Sequence, residues 1–161
     1  MIPILSAAAT VFRLNHRLVL SCLDGMDDEV SRRRLSDNTN HAAFLVAHLA
    51  GARHFLLGLL GVETADPFPE LAEARSIEDV ERFPSVEELR EAWRELGERL
   101  EATWGELDEE RLAADSPQPF PVEDGSLLGA IAFLAQHESY HVGQLAMLRK
   151  AHGLGAMTYP Q

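Results

Sequence analysis

Apolar residues recur at steps of three and four along four long stretches of the chain, the spacing that lines up side chains on one face of an α-helix. The first stretch covers residues 3 to about 25, with Leu5, Ala8, Phe12, Asn15, Val19 and Cys22 on one side and Gly25 as a stop. His16 falls one residue past this face and is expected to be exposed. The second runs from the N-cap candidates Asn38, Thr39 and Asn40 to Leu60, ends at Gly61, and carries the stripe His41, Leu45, His48, Ala52, Phe55, Leu59. The third opens on Ser85, which with Glu88 makes a capping box, and continues to about Glu106 with Val86, Leu89, Trp93, Leu96, Leu100 and Trp104 inward. The fourth begins around Ser126, stops at Gly153, and carries Leu127, Ile131, Leu134, His137, His141, Leu145, Leu148. No strand-period segment or internal repeat interrupts them.

Four amphipathic helices of this length predict an all-α, four-helix bundle as a single domain over residues 1–161. The short charged connection after the first helix makes helices 1 and 2 antiparallel neighbours. Residues 62–84, with Pro67, Pro69 and Pro84 and a short turn near Ser76 to Arg82, are long enough to carry the chain the length of the bundle. Helix 3 can then run in the same sense as helix 2. A second long connection, 107–125, ends in Pro117, Pro119 and Pro121, which favour an extended segment over the bundle near any site.

Two of the apolar stripes contain histidines. His137 and His141, four residues apart, can aim two imidazoles at one point from a single helix. His48 sits in the body of the second helix, flanked by apolar turns. If the second and fourth helices adjoin, His48, His137 and His141 converge on one cation, with Zn, Ni or Fe suited to the nitrogens and coordination positions left open. His41 lies about 10 Å from His48 along the helix and His152 about 16 Å beyond His141, too far for the same ion. The bland alternative is three core histidines with their nitrogens satisfied by hydrogen bonds. Gln144, three residues after His141, is placed either to orient a ligand or as an ordinary polar rim residue.

Composition narrows the choice. The chain has a net charge of −12 with neutral histidines, a surface that repels phosphate backbones and anionic lipids. Nucleic acid and membrane are therefore not expected as partners. The one cysteine, Cys22, makes an internal disulfide impossible and reads as a small core residue. The apolar N-terminus lacks a basic leader region and flows into the first helix, so a cytoplasmic protein is expected. His137 to His141 also spells H-E-x-x-H, with Glu138 in the place of a protease general base. The match is five letters long, the downstream third ligand is missing, and Gln144 and Met147 stand where the longer motif needs Gly and His. A peptidase is not expected.

Leu23-Asp24-Gly25-Met26, then Asn40 to Gly61, then HESYHVGQLAMLRKAHG from His137 to Gly153 together resemble the DinB superfamily of YfiT-like metal-dependent proteins. The most specific part is H-x-x-x-H-x-G-Q-L in the last helix. The resemblance covers nearly the whole chain. It implies an up-down-down-up bundle with the long crossover between helices 2 and 3. It also implies a divalent-metal triad at His48, His137 and His141, and a homodimer. For activity it implies a metal-dependent enzyme acting on a small molecule, such as an S-transferase or isomerase using a low-molecular-weight thiol like mycothiol or bacillithiol. A metal-dependent hydrolase and a non-catalytic metal-binding stress protein are the alternatives.

Overall fold

A computed structural model of the protein describes residues 2–72, 74 and 76–159. Four long helices make its frame: α1 (Pro3–Leu23), α3 (Ala42–Leu59), α5 (Val86–Thr103) and α7 (Leu127–Ala151). Between them lie the short helices α2 (Asp28–Ser31), α4 (Pro69–Ala72) and α6 (Glu109–Ala113), with one 3-10 turn at Ile77–Asp79. No strand is present among the described residues. The described part of the chain is all-α, as expected.

Local chemistry accounts for the helix ends. Pro3 opens α1 at a position where its missing N–H costs nothing. Ser85 accepts from the Glu88 amide while the Glu88 carboxylate accepts from the Ser85 amide, closing the expected capping box. Ser126 caps α7 by accepting from the Gly129 amide. The start of α3 differs from expectation. Its cap is His41, whose Nδ1 accepts from the Phe44 amide at 3.1 Å. Of the expected caps, Thr39 instead ties the preceding loop by accepting from the amides of Leu35 and Ser36. Positive φ angles at Gly25 and Gly61 mark the stops after α1 and α3.

Two apolar clusters fill the bundle. One joins the late turns of α1, the early turns of α3 and α5, and the late turns of α7, around Leu23, Leu45, Leu89, Trp93 and Leu145. The other joins the opposite ends, around Leu5, Leu57, Leu100, Trp104 and Ile131. This grouping means that α3 and α5 run together, against α1 and α7. Each of α1 and α3 packs on both α5 and α7. The first two long helices are therefore not the neighbours expected from their short connection. They lie on a diagonal, because residues 24–41, with α2 inside them, cross the end of the bundle. Arg53 of α3 still reaches across the centre to the Phe12 carbonyl of α1, at 3.1 Å.

The buried face of α3 is also rotated from the expected stripe. Leu45, Leu49, Arg53, Leu56 and Leu57 face the core, whereas Ala52, Phe55 and Leu59 are only half-buried and His48 is exposed. Apolar residues surround α3 almost completely, so periodicity could not choose between its faces. By length and composition alone α3 is apolar enough to cross a membrane, but 56% of it is buried inside the bundle.

Candidate metal centre

α3 and α7 lie side by side, and three imidazoles meet in the angle between them. His48 Nε2 lies 3.0 Å from His137 Nε2, and His141 Nε2 lies 3.2 Å from the same atom. One nitrogen from each ring falls within 4.8 Å of the others, and no carboxylate among the described residues joins the group. The rings stand edge to face, at interplanar angles of 68°, 80° and 80°. Two nitrogens bound to one ion at about 2.1 Å sit about 3.0–3.4 Å apart, so the spacing fits a shared cation. His48 is exposed and the other two are half-buried. The cluster is therefore a rim site open to solvent, not the mid-core site that the stripes suggested.

The ring chemistry fits a cation as well. Gln144 Oε1 lies 2.6 Å from His141 Nδ1, and Gln144 Nε2 donates to the Tyr140 hydroxyl at 3.3 Å. With the amide oxygen facing Nδ1, that oxygen accepts, which matches the His141 tautomer with the proton on Nδ1 and a lone pair on Nε2. Gln144, for which the sequence left two roles open, lies in direct contact with a triad imidazole. His137 is held by Phe133, stacked at 6.2 Å, and its Nδ1 is buried without a hydrogen-bond partner. Phe44 stacks on His48 at 6.4 Å.

Burial pushes the His137 pKa down to about 4, helped by the neighbouring His141 and His48. His48, although exposed as a residue, is lowered first by desolvation of its ring among its neighbours and then by His141. Burial lowers His141 too, against the opposing pull of Gln144. All three rings therefore favour the neutral state, the form that donates to a metal. Three lone pairs converging on one point repel each other unless a cation or a proton lies between them.

The remaining histidines serve elsewhere. His41 caps α3 and meets Phe83 edge-on at 4.3 Å. His54 Nδ1 pairs with Thr64 Oγ1 at 2.7 Å, and His152 Nε2 reaches the Arg33 carbonyl at 3.1 Å. His16 is half-buried, contrary to expectation. It stacks on Trp93 at 6.0 Å and lies 3.1 Å from Arg53 Nη1. Gly97 makes room for it, since a Cβ there would stand 2.4 Å from His16 Nδ1.

Glu138 completes the picture. Its carboxylate is 1% exposed and accepts from Arg53 Nε at 2.6 Å and Nη2 at 3.0 Å. Burial raises its pKa, while Arg53 and Asn15 pull it back. The Arg53 guanidinium also lies 3.6 Å over the Trp93 ring. Glu138 thus points into the bundle and is bound there, so it cannot be the base of an H-E-x-x-H peptidase. The pair was readable only in outline: one arginine within an apolar helix, and a glutamate seven residues after Ile131.

The DinB superfamily pattern matches residues 12–145 of the chain. Among solved structures, a DinB-like protein from Bacillus cereus ATCC 10987 superposes with a TM-score of 0.69 at 16% identity, over 97% of this chain and 95% of that one. A conserved protein from Enterococcus faecalis superposes with a TM-score of 0.68 at 13% identity, over 93% of this chain and 97% of that one. No curated protein matches. At these identities the structural likeness speaks for the fold alone, and the sequence match over most of the length assigns the family. The chain belongs to the DinB superfamily.

Proposed function

We propose that His48, His137 and His141 hold one divalent metal ion through their Nε2 atoms, and that the protein uses it as an enzyme on a small molecule. The observation that carries this is the convergence of the three nitrogens at 3.0 and 3.2 Å, with His141 fixed in the metal-binding tautomer by Gln144. Such an ion supplies Lewis-acid chemistry, lowering the pKa of a thiol or water that coordinates it.

Among the reactions open to such a centre, thiol S-transfer is the one we favour. A hydrolytic site generally places a general base beside the attacking water. Here the nearest glutamate in sequence, Glu138, is committed to Arg53 inside the bundle. A thiol bound as its thiolate is already a nucleophile and needs no such base. Tyr140 and Gln144 flank the cluster on its solvent side and can position what binds there.

Elemental analysis of protein purified without a histidine tag tests the first part. One equivalent of zinc, nickel or iron is expected, lost in His137→Ala. Incubation of the loaded protein with bacillithiol, mycothiol or glutathione and an electrophile tests the second. Metal-dependent conjugation that His137→Ala abolishes supports S-transfer, and ester or amide cleavage without a thiol requirement replaces it with the hydrolase reading.

A further inference from the structure

α3 is apolar on both sides, and only one of them is used by the core. Its outer side forms the floor of a groove of about 760 Å³ with His48 in its lining. Phe44 and Phe55 rise from the floor, Phe68 and Leu71 come from the crossover, and Leu134 comes from α7. The volume lies within the usual range for small-molecule pockets. Besides His48, its polar side chains are His54, Asp66 and Gln118.

Two glycines, Gly51 and Gly58, lie on this floor seven residues apart, in the interior of a helix. Glycine weakens a helix interior relative to alanine. Close packing does not account for either, because a Cβ at each would meet nothing within 4 Å. What the two positions contribute is room in the groove. The lining is also selective in charge. Among its described residues no lysine or arginine occurs, and its one carboxylate is Asp66, on a chain whose net charge is −12. On the metal-free protein, an anionic ligand entering the groove would find no counter-charge in its lining and a repulsive field.

We infer that this groove binds the uncharged aromatic body of a small-molecule substrate, holding the substrate's reactive end over the triad. The inference rests on the proposed function for the reactive end, but the groove itself is assigned from its own lining. Aromatic walls spaced around a small-residue floor favour a flat ring system.

The test uses N-phenyl-1-naphthylamine, which is uncharged, and 8-anilino-1-naphthalenesulfonate, which has the same aromatic body with an anionic sulfonate. Both are titrated by fluorescence into the full chain, metal-free and zinc-loaded. Saturable one-to-one binding of the neutral probe is expected, at least tenfold tighter than the sulfonate on the metal-free chain, where no cation at His48 can draw the anion in. Gly51→Leu should remove that binding without lowering the melting temperature, because the new side chain enters open space one turn from His48. On the metal-free chain, equal affinity for the two probes, tighter binding of the sulfonate, or neutral-probe binding unchanged in Gly51→Leu overturns the inference. Should Gly51→Leu melt lower, Ala52→Leu, on the same groove, is read in its place by the same criteria. Metal content is measured separately, so groove binding without metal uptake counts only against the metal centre, and metal uptake without groove binding only against the groove.

Discussion

Arg53 and Glu138 form a buried, two-pronged ion pair that joins α3 to α7 beside the histidine cluster, at 2.6 and 3.0 Å. Glu138 follows His137 directly in the chain, so the pair fixes how α7 is rotated and shifted against the helix that carries His48. Removing one partner leaves the other charge buried and unpaired. Glu138→Ala is expected to cost about 3–5 kcal/mol in denaturant unfolding. The double variant Arg53→Met, Glu138→Leu, with no stranded charge, should recover much of that stability. If the single and double variants are equally unstable, the pair acts through packing and not through charge.

Gln144 Oε1 lies 2.6 Å from His141 Nδ1, the contact through which it would keep Nε2 free for a metal. Gln144→Ala should weaken zinc binding about 10–100-fold in a competition titration while leaving the melting temperature of the metal-free protein nearly unchanged. Gln144→Glu keeps an acceptor oxygen at Nδ1 and should restore most of the affinity. A zinc affinity identical in wild type and Gln144→Ala would remove the orienting role.

The two apolar clusters fill the bundle without a metal, and the three histidines are exposed or only half-buried at its rim. Chelation should therefore leave a folded, cooperatively melting helical bundle by circular dichroism. Zinc at a hundred times its Kd should add about 2.7 kcal/mol, and His137→Ala should forfeit that gain. A chelated chain that unfolds would instead make the ion a structural staple and favour a non-catalytic protein.

Acid should destabilise the fold before its carboxylates titrate. His16 is pushed down to about 4 by burial and then by Arg53, Arg94 and Arg17, and His41 is pushed down to about 4 chiefly by burial. An unfolded histidine titrates near 6.5, so the unfolded chain takes up protons that the folded one refuses. Stability from these groups is fully present above about pH 6.5 and is lost as the pH falls towards 4. His41→Asn keeps a capping acceptor but not the titration. Its unfolding free energy should fall less steeply over that interval than the wild type's.

Glycines 51 and 97 should respond to alanine with opposite signs. Gly51→Ala adds a methyl to open space and should stabilise the helix by up to about 1 kcal/mol. Gly97→Ala drives a carbon to 2.4 Å from His16 Nδ1 and must displace that ring from Trp93 and Arg53. A lower melting temperature is expected for Gly97→Ala, checked by differential scanning calorimetry of both variants.

Much of this molecule was legible from its letters. The four long helices fell within a few residues of their places because strong periodicity and the Ser85–Glu88 box mark them. The triad was legible because two histidines share one helix at a ligand spacing and a third sits mid-helix. What escaped was orientation. In α3 nearly every side is apolar, so the buried face could not be read and His48 was placed inward rather than at the rim. The Arg53–Glu138 pair and the seat of His16 escaped because charge and exposure usually go together, and here tertiary contacts override that habit.

The groove beside His48 has walls of two origins. Its floor belongs to α3, while Asp66, Phe68, Leu71 and Gln118 come from the connections 60–85 and 114–126, outside the four long helices. The three converging imidazoles therefore stand on the long helices, whereas part of the cleft's wall is supplied by connections between them. Changes confined to those two connections would reshape that wall while leaving the bundle and its histidine cluster in place.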